Sequence, residues 1–82
     1  MARKLDFNSK HADKYAVIGL NISYYRRKRN LTQEELGFLC GLSRTHISNI
    51  ESPNSIYAIS MDSFFNIAEV LQVSPCDLLN ER

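Results

Sequence analysis

With 82 residues, 44% of them apolar and a formal net charge of +1, the chain is sized for one small domain around a single modest core. Its composition is that of a folded globule rather than a disordered polymer, and no apolar run approaches the ~20 residues of a membrane-spanning helix. Charge is unevenly divided: residues 1–30 carry +6 and residues 31–82 carry −5, an asymmetry that points to an anionic partner on one side of the molecule.

The start, MARKLDFNSK, has neither the apolar region nor the small-residue cleavage site of a signal peptide, so a cytoplasmic location is expected. Residues 1–15 read as a basic arm in which Leu5, Phe7 and Tyr15 are irregularly spaced; disorder is the expected state of such a terminus. The folded domain is expected over 16–82. A first helix is predicted over 16–29, where Ile18, Ile22 and Tyr25 recur at i, i+4 and i+7. Asn30 suits the left-handed residue that ends it. The cations at 26–29 complement the helix dipole there.

Thr32 opens a second helix. With Glu35 three residues on, it forms a T-x-x-E capping box, hydroxyl to one orphan N–H and carboxylate back to the cap. Leu36 and Cys40 supply the inner face, and Gly41 stops the helix. Ser43 caps a third helix whose inner face is Ile47 and Ile50. At 100° per residue, Arg44, Thr45, Ser48 and Asn49 turn to the opposite side. SPNSIYA, residues 52–58, reads as a loop. Ser60 caps a fourth helix with Phe64, Ile67, Ala68 and Leu71 on one face, and Ser74–Pro75 opens a short fifth helix holding Leu78 and Leu79.

The expectation is five helices and no strand, an all-α fold. Cys40 and Cys76 have neither a CxxC nor a histidine at ligand spacing; they read as buried small hydrophobes, with no metal site. His11 and His46 lack motif context, and no Gly-rich phosphate loop is present, so neither an enzyme nor a cofactor is expected.

Two short helices joined by a turn beginning at Gly41 fit the helix-turn-helix pattern. In that pattern the first helix crosses a sugar–phosphate backbone and the second presents its outer face to the major groove. Arg44 suits a bidentate contact to guanine and Asn49 one to adenine, each discriminating by ~1–3 kcal/mol. Thr45 offers a hydroxyl and a methyl, the latter matched to thymine, and Ser48 shares the face. His46 lies on the flank, suited equally to packing or to a phosphate contact. Arg27, Lys28 and Arg29 either meet phosphates or stay solvated.

The stretch IGLNISYYRRKRNLTQEELGFLCGLSRTHISNIE, followed by FFNIAEVLQVSPCDLL, resembles the helix-turn-helix domains of the phage-repressor or Xre type. The likeness covers residues 17–79 and rests on LTQEEL, GLSRTHISNIE and IAEVLQVSPCDLL in that order. It implies a five-helix, lambda-repressor-like domain that binds double-stranded DNA as a homodimer on a palindromic operator, with the recognition helix near 43–51 in the major groove. By position it implies base contacts from Arg44, Thr45 and Asn49, with Ser43 touching a base or the backbone. It implies phosphate contacts at Thr32 and Gln33, where helix N–H groups suit an anion. A partly buried ion pair between Arg26 and Glu51 is also implied, fixing orientation more than adding stability.

The chain departs from the family in places. Gly37 stands where Ala is usual, still allowing close approach at a helix cost of ~1 kcal/mol. ESPNS replaces the common glycine turn after the third helix. That helix carries one cation, so much of the electrostatic grip must come from elsewhere. RRKR at 26–29 is the obvious source; Arg3, Lys4 and Lys10 could reach DNA as basic arms do in other families, but a disordered tail is the expectation for them.

Val17, Leu20 and Tyr24 form a second stripe on the first helix, expected to be covered by Leu5, Phe7 or Tyr15. Phe38 and Leu39 also lie off the core stripes. Phe65, with Leu78 or Leu79, is expected at a dimer interface. Occlusion of a promoter by so short a chain favours a repressor over an activator. Small relatives also serve as restriction–modification controllers or antitoxins. The competing reading is a protein-interaction adaptor, or an antitoxin-like partner, that keeps the fold; the polar, acid-free outer face of the third helix argues for DNA. A core this small leaves little room for a small-molecule ligand.

Overall fold

Most helix boundaries are set by groups within a few residues of them; the start of α1, with no side-chain cap at His11, is an exception. The computed structural model describes residues 3–6 and 9–81. Helix α1 (Ala12–Lys28) closes on Asn30 at φ 58°. There the Leu31 N–H donates to the Arg26 carbonyl at 3.1 Å and the Asn30 N–H to that of Arg27 at 2.9 Å, which satisfies carbonyls the helix end leaves orphaned. Helix α2 (Gln33–Cys40) starts on a complete capping box: the Glu35 N–H donates to Thr32 Oγ1 at 3.0 Å, and the Thr32 N–H donates to Glu35 Oε1 at 2.8 Å. Gly41, at φ 73°, ends α2 in the left-handed region. Helices α3 (Arg44–Glu51), α4 (Met61–Leu71) and α5 (Pro75–Leu79) begin at Ser43, Ser60 and Ser74, each hydroxyl accepting a first-turn N–H. Such a cap stabilises a helix by ~1 kcal/mol.

The inner faces converge on one core: Ile18 and Ile22 of α1, Leu36 of α2, Ile47 and Ile50 of α3, Phe64, Ile67 and Leu71 of α4, and Leu78 of α5. No helix among the described residues is long and apolar enough to cross a membrane.

Two close approaches set how the helices cross. A methyl group on Gly19 would collide with the backbone carbonyl oxygen of Ile50, so α1 lies directly on the end of α3. At Gly37 an added Cβ would stand 2.5 Å from the Leu42 carbonyl oxygen. The turn between α2 and α3 is therefore tighter than one that accepts the usual alanine, and the expected close approach leaves no room for a side chain. A third tie is polar. Asn21, buried in α1, donates through Nδ2 to the carbonyls of Leu78 at 2.9 Å and Asn80 at 2.7 Å, supplying the donor that the end of α5 lacks.

Several expectations are corrected. Helix α1 starts at Ala12, not residue 16, and the chain is not strand-free. Strand β1 (Arg3–Leu5) pairs antiparallel with β2 (Ile56–Ala58), in register Arg3 with Ala58, Lys4 with Tyr57 and Leu5 with Ile56. Residues 3–5 of the arm are thus docked where loose chain was expected, by a pairing across some fifty residues that no local pattern announces. Leu78 is not at a surface: it is fully buried. Adjacent helical residues point 100° apart, so Leu78 enters the core while Leu79 remains 53% exposed. The outer stripe of α1 is not covered either, Leu20 and Tyr24 remaining exposed; Phe7, one of its expected covers, lies outside the described residues. Cys76 is exposed rather than buried. Cys40 is half-buried beside the turn, and burial pushes its thiol pKa up to about 11, which keeps it protonated and inert.

Candidate nucleic-acid interface

The exposed face of α3 is polar and free of acid. Arg44 and Thr45 are exposed, while Ser48 and Asn49 are half-buried on the same side. Ser43 is exposed at the helix start, its Oγ accepting the His46 N–H at 3.0 Å. That bond uses the oxygen as acceptor and leaves the hydroxyl proton to donate elsewhere.

What orients this face lies behind it. Arg26 Nε donates to Glu51 Oε2 at 2.7 Å and Arg26 Nη2 to Glu51 Oε1 at 2.9 Å, a bidentate pair between α1 and the last residue of α3. Arg26 Nη1 donates also to the Leu31 carbonyl at 2.7 Å. Both side chains are buried. The hydrogen bonds to Glu51 raise the Arg26 pKa above the ordinary arginine value against the opposing effect of burial, so the guanidinium is charged at any pH at which the chain folds. Together with the close contact of Gly19 on Ile50, this pair holds α3 at a set angle to α1.

Sequence reasoning missed the role of Gln33 in this network. Its Nε2 donates to Glu51 Oε1 at 3.1 Å, so the first residue of α2 is tied to the last residue of α3. Thr32 and Gln33 thus sit at the start of α2, the end of a helix that favours anions. The Thr32 N–H is occupied by the Glu35 carboxylate and the Glu35 N–H by the Thr32 hydroxyl, leaving those of Gln33 and Glu34 for a ligand. A glutamine at this position gives no local signal of where its amide goes; only the packing of α2 against α3 brings it to Glu51.

The cations at the end of α1 are divided among different surroundings. Arg29 Nη1 donates to Gln72 Oε1 at 2.7 Å, tying α1 to the end of α4. Lys28 Nζ lies 5.7 Å from the centre of the Tyr24 ring, within cation–π range. Arg27 is exposed.

His46 is half-buried on the flank of α3, and burial holds its pKa below the ordinary 6.5. The imidazole is therefore neutral at pH 7. Because the folded value lies below the unfolded one, stability is full above about pH 6.5 and falls as pH drops through the folded value. If the ring meets a phosphate, its added charge has the opposite effect on binding. Acidification between about pH 7 and 5 is expected to tighten DNA binding while lowering the thermal midpoint, and His46→Gln is expected to flatten both profiles. Anisotropy and thermal unfolding across that range test this; a wild-type binding profile identical to that of His46→Gln removes His46 from the interface.

Known proteins share this fold. A helix-turn-helix family model matches residues 22–78. Control protein C.BamHI of Bacillus amyloliquefaciens is 43% identical over 53 residues, covering 65% of this chain and 63% of the relative. The chain therefore spans a little less than two thirds of that relative's length. The restriction-modification controller protein C.AhdI from Aeromonas hydrophila is similar with a TM-score of 0.72 at 26% identity, over 80% of this chain and 97% of that one. SinR, the master regulator for biofilm formation, solved in complex with DNA, is similar with a TM-score of 0.70 at 28% identity, over 77% of this chain and 98% of that one.

Proposed function

The chain belongs to the helix-turn-helix family, and from that premise we propose that it is a sequence-specific regulator of transcription that binds double-stranded DNA as a homodimer on an inverted-repeat operator. The observation that carries the reading is the exposed, acid-free face of α3, backed by the buried Arg26–Glu51 pair that sets its angle. In this reading Arg44, Thr45 and Asn49, with Ser43 and Ser48, meet base edges in the major groove. Thr32 and Gln33 at the start of α2, His46 on the flank, and Arg27 and Lys28 at the end of α1 meet phosphates, which add affinity without sequence preference. The likeness to C.BamHI and C.AhdI favours a control protein over an antitoxin. Occlusion of a promoter is the simplest mode for so small a domain and favours a repressor.

Support for the dimer comes from an apolar surface formed by residues of α1, α4 and α5. Met61, Phe65 and Leu79 are exposed. Met61 and Leu79 line a groove of about 360 Å³ together with Tyr15, Ile18, Ile59 and Phe64, and the Phe65 ring lies beside that of Phe64, centres 5.7 Å apart. A joined apolar patch of this kind marks an interaction surface, and a two-fold pairing through it would present two copies of α3 to successive turns of the groove.

A selection of bound sequences from a random duplex library tests the reading. Enrichment of an inverted repeat with half-sites about one helical turn apart is the expected result. Arg44→Ala should then erase discrimination at one position per half-site, a change of ~1–3 kcal/mol. If the wild-type chain enriches nothing, the operator-binding reading fails. The exposed pair Phe38 and Leu39 on α2, 84% and 55% accessible, would then direct attention to a protein partner.

A further inference from the structure

A recognition helix in a groove ~12 Å wide has a phosphate backbone on each flank. The start of α2 faces one. The chain that leaves the end of α3, residues 52–55, offers Ser52, Asn54 and Ser55 but no cation, and Arg44 is the sole cation of residues 31–81. The electrostatic half of DNA binding needs positive charge at the phosphates, and this half of the chain lacks it. What the structure adds is strand β1, drawn from the basic half and laid antiparallel on β2 directly after that loop.

The pleat decides which way its side chains point. Ile56 lies with Ala16, Leu20 and Glu51 around a small depression against α1 and α3, so it faces inward. Its cross-strand partner Leu5 shares that face, and Lys4 and Tyr57, the next pair, occupy the opposite one. Lys4 is exposed and Tyr57 half-buried. A lysine ammonium and a phenol hydroxyl thus stand side by side on the outer face of a two-stranded ribbon, next to a loop of hydroxyl and amide donors. All of these groups can donate to phosphate oxygens.

We propose that the outer face of the β1–β2 ribbon, with Lys4 opposite Tyr57, grips the DNA backbone on the flank of α3 away from α2, the N-terminal strand bringing a cation to a loop that has none. This rests on the DNA-binding reading above. It differs from a flexible arm in one respect: the charge is held in place before DNA arrives, so little ordering entropy is lost on binding.

The test uses the full chain, the selected duplex and a scrambled duplex, with anisotropy titrations over a range of salt. Lys4→Gln, whose side chain is exposed, is expected to leave the thermal midpoint and the selected sequence unchanged. It should weaken binding to both duplexes about equally, by about five-fold per protomer near 0.15 M salt, and reduce the salt slope by about one per protomer. Lys4→Glu should weaken it further. Arg44→Ala, run alongside, should instead lower the preference for the selected duplex. If Arg44→Ala loses that preference while Lys4→Gln keeps wild-type affinity and slope, the ribbon proposal is overturned and the DNA-binding reading stands. A wild-type chain that binds neither duplex overturns both.

Discussion

Glu51→Ala is expected to destabilise the protein by about 3–5 kcal/mol, the typical cost of removing one partner of a buried ion pair. A chain of this size has a total stability of only roughly 4–12 kcal/mol, so the variant should be close to unfolding at physiological temperature. The large effect comes from what is left behind. Arg26 would keep a bond to the Leu31 carbonyl but lose both bonds to carboxylate oxygens, and a buried guanidinium cannot neutralise itself by releasing its proton. Gln33 would lose the acceptor that fixes its amide. Denaturant titration of Glu51→Ala beside the double variant Arg26→Met, Glu51→Leu checks the cause. The double variant should recover much of the lost stability, because apolar replacements remove the stranded charge. If it is no more stable than Glu51→Ala, the loss belongs to packing rather than to the unpaired arginine. Any folded Glu51→Ala should also bind DNA less tightly than its folded fraction accounts for, since both Gln33 and the end of α3 are released.

Gly19→Ala should be the second most damaging change, although alanine is the better helix former. The propensity gain is ~1 kcal/mol. Against it, the new methyl meets the Ile50 carbonyl oxygen, with Glu51 Cα 3.7 Å away. Backbone cannot swing aside as a side chain can, so α1 and α3 must separate or the helix must bend. Overpacking of this kind costs ~1–3 kcal/mol or more. Because the obstacle is backbone, the cost falls at the upper end of that range, and the net expectation is a loss of about 2 kcal/mol, near 10 °C in thermal midpoint for a domain of this size. Separation would also stretch the Arg26–Glu51 pair. A thermal midpoint at or above that of the wild type would show that the two helices do not touch as described.

These two sites differ in what local sequence reveals. Arg26 and Glu51 can be singled out through the family resemblance. Glycine 19 carries no such mark: it sits inside an amphipathic helix, and its meaning lies in a backbone atom of another helix. The same division runs through the candidate site. The outer face of α3 follows from helical periodicity, because Ile47 and Ile50 commit one side of a short helix to the core and leave Arg44, Thr45, Ser48 and Asn49 on the other. The hydrogen bond from Gln33 and the inward turn of Leu78 depend on where a second element lies.

By itself the sequence determined the helices, their ends apart from the start of α1, and most of the core, since Thr32 with Glu35, Ser43, Ser60, Ser74, Asn30 and Gly41 each act within about four residues along the chain. Tertiary structure alone decided the rest. The N-terminal residues paired with β2, Asn21 reached the carbonyls of Leu78 and Asn80, and Gly19 and Gly37 admitted neighbouring backbone. Each of these contacts depends on the placement of another element or a turn, and a local pattern of apolar and polar residues carries no information about the partner it will meet.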